Sequence, residues 1–360
     1  MTAATMPQPF RAPAFDFASE RIDALLITEP ANVRYLSGYT GSNGLIVVTP
    51  RSAVLFTDPR YAIQASQEVA CSVRIVARGP LLPAAAGFLR RLRSRRVGFE
   101  KAHLSYEQHA LLTDRLPGFT LIPLGPVIER QRMVKSEQEL ARIRRSVATN
   151  SRAFDRALKA IRPGVAEIEI AAEIEYHMRR LGAEKPAFET IVASGDRSAL
   201  PHARPTSKKL KAAELTLIDM GATEDGYASD MTRVLHIGRP SPKIRRMYNA
   251  VLEAQLAAID AVRPGVAAGR VDQAARAVLK RHGLDRMFTH STGHGLGLEI
   301  HEAPRLGKRD TTKLEAGMAI TIEPGAYVQG FGGIRIEDTV VVTAAGCEVL
   351  TPTPKELITL

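Results

Sequence analysis

Ile161-Arg162-Pro163-Gly164-Val165 is repeated further along the chain as Val262-Arg263-Pro264-Gly265-Val266, each copy flanked on both sides by Ala- and Leu-rich helical stretches. An internal repeat of this kind marks a duplicated structural unit and is weighed before any motif. The register holds beyond the five residues. Leu217-Ile218-Asp219-Met220-Gly221 aligns with Thr321-Ile322-Glu323-Pro324-Gly325, and Ser229-Asp230-Met231-Thr232 with Ile336-Glu337-Asp338-Thr339. His202 near Pro205 likewise matches His301 near Pro304. One α+β unit, helices first and a hairpin afterwards, is therefore expected twice, with acids at equivalent strand positions.

Upstream of the repeat the rhythm differs. Short β-rich runs (Ala24 to Ile27, Leu45 to Val48, Ala53 to Phe56, Val73 to Val76, Val97 to Phe99) alternate with helix-like ones (Tyr61 to Val69, Tyr106 to Leu116), as in an α/β layer domain. Pro123, Gly125 and Pro126 break that pattern, and Ser136 with Glu139 reads as a capping box opening a long helix through Ile161. The expected domains are thus residues 1–126, α/β, and residues 127–360, α+β.

Composition narrows the class. A 360-residue chain with 45% apolar side chains can bury two cores, which excludes global disorder. No apolar run approaches the roughly 20 residues of a membrane span, and Met1 to Phe10 lacks a secretory layout, so the expectation is a cytoplasmic protein without a membrane partner. Cys71 and Cys347 show neither metal-ligand spacing nor a disulfide framework. The formal charge of +11 is densest at Arg90, Arg91, Arg93, Arg95 and Arg96. That cluster follows the amphipathic stretch Leu81 to Leu92 and holds no aromatic residue for base stacking, so it reads as a solvated helix end and no nucleic-acid partner is expected.

Chemistry gathers at the repeat's acids. Asp219 and Glu323 each end an apolar run, while Asp230 and Glu337 follow the turn residues Asp225-Gly226 and Gly330 to Gly333. Two hairpins would aim four carboxylates at one centre. Such a cluster repels itself unless cations neutralise it, and two divalent ions balance four negative charges. The accompanying imidazole is assigned to His294, in Thr292-Gly293-His294-Gly295, whose glycines are expected to let the backbone approach the ions. One nitrogen among oxygens suits Mn²⁺, Co²⁺, Zn²⁺ or Fe²⁺ better than Ca²⁺. Gly293, Gly295 and Gly297 lack dinucleotide-fingerprint spacing, and Pro304 prevents His301-Glu302 from forming a zincin helix. A lone acid at a strand end is usually a turn or cap residue; joint occurrence in a repeated framework carries the reading.

At these residues the chain resembles the creatinase and methionine-aminopeptidase-like superfamily of pita-bread metallopeptidases, in its Xaa-Pro dipeptidase (prolidase) and Xaa-Pro aminopeptidase branch. The likeness rests on Ile218-Asp219 to Arg233, Gly293-His294-Gly295 to Pro304, Ile322 to Gly325 and Arg335 to Asp338. It extends to Tyr35 to Ser42 and Phe56 to Tyr61 in the first half. The resemblance implies a creatinase-like accessory domain before a pita-bread catalytic domain with pseudo-two-fold duplication. It implies two divalent ions, manganese first and cobalt or zinc as alternatives, bridged by Asp230 and Glu337, with Asp219 completing one ion and His294 and Glu323 the other. Glu323 would move the proton, and His301 and His202 would stabilise the oxyanion and orient the substrate, without an acyl-enzyme.

Phe188, His202 and Ile300 are implied to fit a proline ring on the leaving-group side. Arg305 is assigned the substrate carboxylate of a dipeptide; an Arg305 facing solvent favours longer peptides. Arg335 is read as orienting the carboxylates around it. The partner is a small proline-containing peptide, and the resemblance implies a homodimer with the loop Arg34 to Asn43 overhanging the partner's site. A non-catalytic binding protein on the same scaffold and a metal-free amidinohydrolase are the competing classes, disfavoured by the complete acid set.

Overall fold

Strand formation in the first half follows its β-branched and apolar runs, giving β1 (Ala24–Ile27), β2 (Gly44–Val48), β3 (Ala53–Thr57), β4 (Val73–Val76), β5 (Arg96–Glu100) and β6 (Thr120–Leu124). Between them lie α1 (Pro30–Ser37), α2 (Ala62–Glu68), α3 (Leu81–Arg91) and α4 (Tyr106–Arg115), and α5 (Val127–Met133) follows. This computed structural model describes residues 10–14, 16–71, 73–92 and 95–360. Arg93 of the basic cluster and residues 1–9 of the segment read for a leader lie outside the described residues. Two compact units result, Met1–Arg132 and Met133–Leu360.

In the first unit one six-stranded sheet runs β4-β3-β2-β1-β5-β6. Leu26, Val47 and Phe56 pack with Leu89 of α3 and Leu112 of α4, while Ile27, Ile46 and Leu55 are equally buried, so these strands read as unbroken apolar runs. Three expectations change. Pro123, read as a break, lies inside β6 opposite Phe99; β6 is an edge strand, where a missing N–H costs no ladder bond. The expected loop Arg34 to Asn43 loses its first four residues to α1, which starts on Pro30 and ends at Gly38 in the left-handed region (φ 74°). The units divide after Arg132 instead of residue 126, because α5 belongs with α1: Asn32 Nδ2 donates to Glu129 Oε1 (2.9 Å) and Arg132 donates to Asn32 Oδ1 (2.7 Å).

His103 ties the same region together. Its Nδ1 lies 2.8 Å from Glu29 and its Nε2 2.8 Å from Glu129, with Glu100 also facing it. Burial works against the charged ring, but the surrounding carboxylates outweigh it and hold the His103 pKa above its ordinary 6.5. The folded form therefore binds the proton more tightly than the unfolded one. Stability from this clamp is full below about 6.5 and is lost as pH rises through the higher folded value. We expect the pH dependence of unfolding above pH 6.5 to flatten in His103→Gln; an unchanged slope in urea titrations would show that the clamp contributes nothing.

The second unit contains the duplication. In the first copy α6 (Glu137–Ala157) and α7 (Glu167–Leu181) precede β7 (Lys185–Pro186), β8 (Ile191–Ser194), β9 (Leu215–Met220), β10 (Ala222–Glu224), β11 (Tyr227–Ala228) and β12 (Met231–His236). In the second, α8 (Pro242–Asp260) and α9 (Ala268–Arg281) precede β13 (Gly293–Gly295), β14 (Glu302–Leu306), β15 (Ala319–Ile322), β16 (Gly325–Val328), β17 (Gly332–Arg335), β18 (Asp338–Val342) and β19 (Cys347–Val349); β20 (Ile358–Thr359) closes the chain. The repeated pentapeptides form the turns between paired helices, with Gly164 at φ 90° and Gly265 at φ 82°. Each glycine N–H donates to an equivalent leucine carbonyl, Gly164 to Leu210 (2.9 Å) and Gly265 to Leu314 (2.7 Å).

Both sides of the expected capping box form: Ser136 Oγ accepts from Glu139 N and the Glu139 side chain from Ser136 N. The helix it opens ends at Ala157, and a single 3₁₀ turn carries the chain to Ala160. Sheet β20-β12-β9-β8 serves the first copy and β14-β13-β15-β18-β19 the second. Phe154, Ile174, Ile218 and Leu235 fill one core, and Val251, Leu279, Ile320 and Val340 the other. Asp225 (φ 50°) and Gly226 (φ 80°) form the two-residue turn joining β10 to β11, as a primed hairpin turn requires. His301 and Glu302 lead into strand β14, not a helix.

Candidate metal centre

Pairing of β9 with β12 sets Asp219 opposite Thr232, so Asp219 near the end of one strand neighbours Asp230, just ahead of the other. In the second copy β15 pairs with β18, Ile322 opposite Asp338, which places Glu323 directly after one strand and Glu337 directly before its partner. All four acids and His294 line one cavity of 720 Å³. Ligand atoms of Asp230, His294 and Glu337 lie within 4.8 Å of one another, and His294 Nε2 is 3.6 Å from Asp230 Oδ2 and 3.4 Å from Glu323 Oε1. His294 Nδ1 faces the Gly295 carbonyl (2.9 Å), which can only accept, so Nδ1 carries the hydrogen and Nε2 turns its lone pair to the acids. Burial lowers the His294 pKa, keeping the ring neutral as a ligand must be.

The glycines beside His294 have a different cause from the one expected. A Cβ on Gly293 would meet the Thr321 carbonyl oxygen at 1.9 Å, and one on Gly295 the Ala303 carbonyl oxygen at 2.2 Å. They admit the neighbouring strands β15 and β14. Gly297 is small for a third reason, since a side chain there would strike the Glu302 carboxylate at 2.7 Å.

Electrostatics describe a site short of positive charge. Burial, then Glu337, Asp219 and Glu323, push the Asp230 carboxyl well above its usual range. Burial, then Glu323 and Asp219, do the same to Glu337, and burial lifts Glu323 to about 7. Arg335 is the cation among them: it donates to Asp219 Oδ2 (2.5 Å), to Thr232 Oγ1 (2.9 Å) and to Tyr327 Oη (2.7 Å). Thr232 in turn donates to Glu337 Oε2 (2.7 Å). One guanidinium does not balance four buried carboxylates. Asp219 Oδ1 and Asp230 Oδ1 are moreover buried without a hydrogen-bond partner among the described residues. Buried acceptors left open in an acid cluster with one neutral imidazole fit divalent cations.

The other sequence-derived residues line the same cavity: Phe188 and Ile300 half-buried, His202, His301 and Arg305 exposed to it. The rings of His294 and His301 meet edge to face at 4.4 Å. Arg305 stands opposite His294 in the β13–β14 register and donates weakly to Ser291 Oγ (3.3 Å). Sequence reasoning missed four side chains. Tyr327 and His290 continue the polar chain from Arg335: His290 Nδ1 donates to its neighbouring Ser291 carbonyl (2.8 Å), so Nε2 accepts from Tyr327 Oη (2.8 Å). Lys135 and Glu302 form a buried ion pair of 3.0 Å beneath the wall carrying His301. For His290 the available signal was its spacing of four from His294; Lys135 and Glu302 are 167 positions apart and gave none.

Two family models match the chain. Residues 141–344 match the model of metallopeptidase family M24, and residues 16–134 that of the creatinase/prolidase N-terminal domain. The chain is 39% identical to the Xaa-Pro dipeptidase of Pyrococcus furiosus over 338 residues, 94% of this chain and 95% of that one. The solved Xaa-Pro dipeptidase from Bacillus anthracis superposes with a TM-score of 0.93 at 39% identity, covering 96% of this chain and 97% of that one. An X-Pro aminopeptidase structure from Thermotoga maritima gives 0.89 at 38% identity, covering 95% and 100%. The chain is a member of metallopeptidase family M24, with a creatinase/prolidase-type domain ahead of its catalytic domain. Among the described residues no helix is long and apolar enough to cross a membrane.

Proposed function

We propose that the chain hydrolyses the peptide bond between an N-terminal residue and proline, with Xaa-Pro dipeptides as its principal substrates. The convergence of Asp219, Asp230, Glu323, Glu337 and His294 on one cavity carries this reading. Two divalent ions, manganese foremost, would be held by Asp219, Asp230, His294, Glu323 and Glu337. Such ions, when bound, acidify water and polarise a carbonyl. Glu323 takes the proton of the attacking water and returns it to the leaving nitrogen.

Burial lowers the His301 pKa, so its neutral ring donates an N–H toward the developing oxyanion, and His202 orients the substrate from the same wall. Phe188, Ile300 and His202 accept the proline ring. An X-Pro nitrogen carries no hydrogen, so shape replaces the main-chain contact that other peptide bonds offer. Arg335 holds Asp219 and, through Thr232, Glu337 in place.

Arg305 binds the carboxylate of a dipeptide in this reading, and Arg305→Ala is expected to raise KM for Ala-Pro about tenfold or more while changing it little for Ala-Pro-Ala. Equal effects on the two substrates would remove that role. One observation favours a second reading, cleavage of longer peptides: Arg305 is exposed and also lines a neighbouring cavity. Assays of Ala-Pro, Ala-Pro-Ala and Ala-Ala with Mn²⁺, Co²⁺ or Zn²⁺ test reaction, length and metal together. Protein purified without chelators that carries no metal and cleaves none of them would instead be a binding protein on this scaffold. The homodimer belongs to the same proposal and is read by light scattering.

A further inference from the structure

A cavity of 590 Å³ adjoins the catalytic one and shares His290, Ser291 and Arg305 with it. Its far wall is the turn after β14, which carries Lys308 and Arg309, both exposed. The turn is anchored. Asp310 N donates to the Gly307 carbonyl (3.0 Å), Gly269 N donates to the Asp310 carbonyl (2.9 Å), and Asp310 Oδ1 accepts from Thr312 N (2.8 Å). Gly269, in the first turn of α9, has no room for a Cβ, which would come within 2.8 Å of the Asp310 carbonyl oxygen.

The charges on this wall are of two kinds. Arg276 is spoken for: it pairs with Asp272 at 2.7 Å and donates to the carbonyls of Phe288 and His290, so it is structural. Among the described residues no carboxylate lies within 4 Å of Arg305, Lys308 or Arg309. The one acid of the turn, Asp310, accepts from Thr312 N through Oδ1 and is, among the described residues, the single negative charge on this wall. Three cations against that single acid thus border a groove that shares His290, Ser291 and Arg305 with the reaction cavity. Arg305 lines both cavities, so a peptide extended past it at about 3.5 Å per residue enters this groove.

We propose that the groove is a binding site for an acidic residue following proline, so that among tripeptides and longer peptides Xaa-Pro-Glu and Xaa-Pro-Asp are selected. Such a leaving group brings two carboxylates, its side chain and its terminus, past Arg305 to Lys308 and Arg309. The assignment rests on the peptidase reading above. It adds a preference that the site's acids and the proline pocket do not supply.

The test compares kcat/KM for Ala-Pro, Ala-Pro-Gln, Ala-Pro-Glu and Ala-Pro-Lys on the full-length, metal-loaded protein. Wild type is set against Lys308→Gln/Arg309→Gln and against a charge-matched control, Arg90→Gln/Arg91→Gln. At low ionic strength wild type should prefer Ala-Pro-Glu over Ala-Pro-Gln by about fivefold to tenfold, the size of two partly exposed ion pairs. The preference should shrink to within about twofold in the groove variant and in about 0.5 M salt, and persist in the control. Ala-Pro, which has no third residue, reports that the variant is folded and active. Equal rates for the Glu and Gln peptides, an undiminished preference in the groove variant, or the same loss in the control would overturn the proposal. So would cleavage of Ala-Pro with no tripeptide turned over. No cleavage of any of the four would instead defeat the peptidase reading, and this site with it.

Discussion

Asp230→Ala should abolish hydrolysis, lowering kcat/KM for Ala-Pro by at least about a thousandfold, and should do so in a protein that folds as well as wild type. Its carboxylate is buried against Glu337, Asp219 and Glu323, all of which repel it. Without ions, deleting it relieves repulsion, so chelator-treated Asp230→Ala is expected to melt higher than chelator-treated wild type. With ions the order is expected to reverse, because a carboxylate of the proposed ligand set is gone and the stabilisation that added Mn²⁺ would give wild type is lost. The pH dependence has a defined sign. The Asp230 and Glu337 carboxyls sit above their ordinary values of 3.8 and 4.5 in the folded protein, so the ion-free fold binds more protons than the unfolded chain. Their contribution to its stability is full below those ordinary values and is lost as pH rises through the higher folded ones. Calorimetry across pH 4 to 8 with and without metal reads this directly. Retained activity, or retained metal by mass spectrometry, in Asp230→Ala would mean that the centre lies elsewhere.

Lys135→Met should be strongly destabilising although it lies outside the acid cluster, costing about 3 kcal/mol. The Lys135 and Glu302 side chains are 1% and 5% exposed, and their 3.0 Å contact lies in low-dielectric surroundings where removal of one charge is felt in full. Glu302 also accepts from Glu299 N (3.2 Å) and packs on Gly297. It thereby closes the turn that presents Ile300 and His301 to the cavity. The loss should consequently reach activity: at temperatures where the variant is fully folded, kcat/KM falls about tenfold. Adding Glu302→Gln removes the buried charge and should restore part of the stability. If the double variant is no more stable than Lys135→Met, the pair is not the source of the loss.

Much of the centre was legible because duplication repeats its own evidence. Asp219 and Glu323 follow matched apolar runs, Asp230 and Glu337 follow matched turns, and strand pairing needs only those local cues to bring the acids together. His294 was legible through its glycines, although these turned out to serve strand packing. In the first unit the continuous apolar runs marked β1, β2 and β3. Pro123 concealed β6, since a proline within a run argues against a strand unless its edge position is known, and that is a tertiary fact. Glu302, Lys135, Tyr327 and His290 escaped for a related reason. Each owes its place to a partner far along the chain or on a neighbouring strand, and a lone lysine or tyrosine carries no sign of which distant carboxylate or imidazole it will meet.

Behind the His294 ring the cavity wall is main chain pressed against main chain, at Gly293 on Thr321 and at Gly295 on Ala303. Nothing on that side can be exchanged for something larger. Phe188 and Ile300, which line the same cavity, are half-buried and meet it with side chains. Mutational drift is thereby channelled: the reactive half of such a protein is nearly immutable, while its choice of peptide can be retuned one side chain at a time.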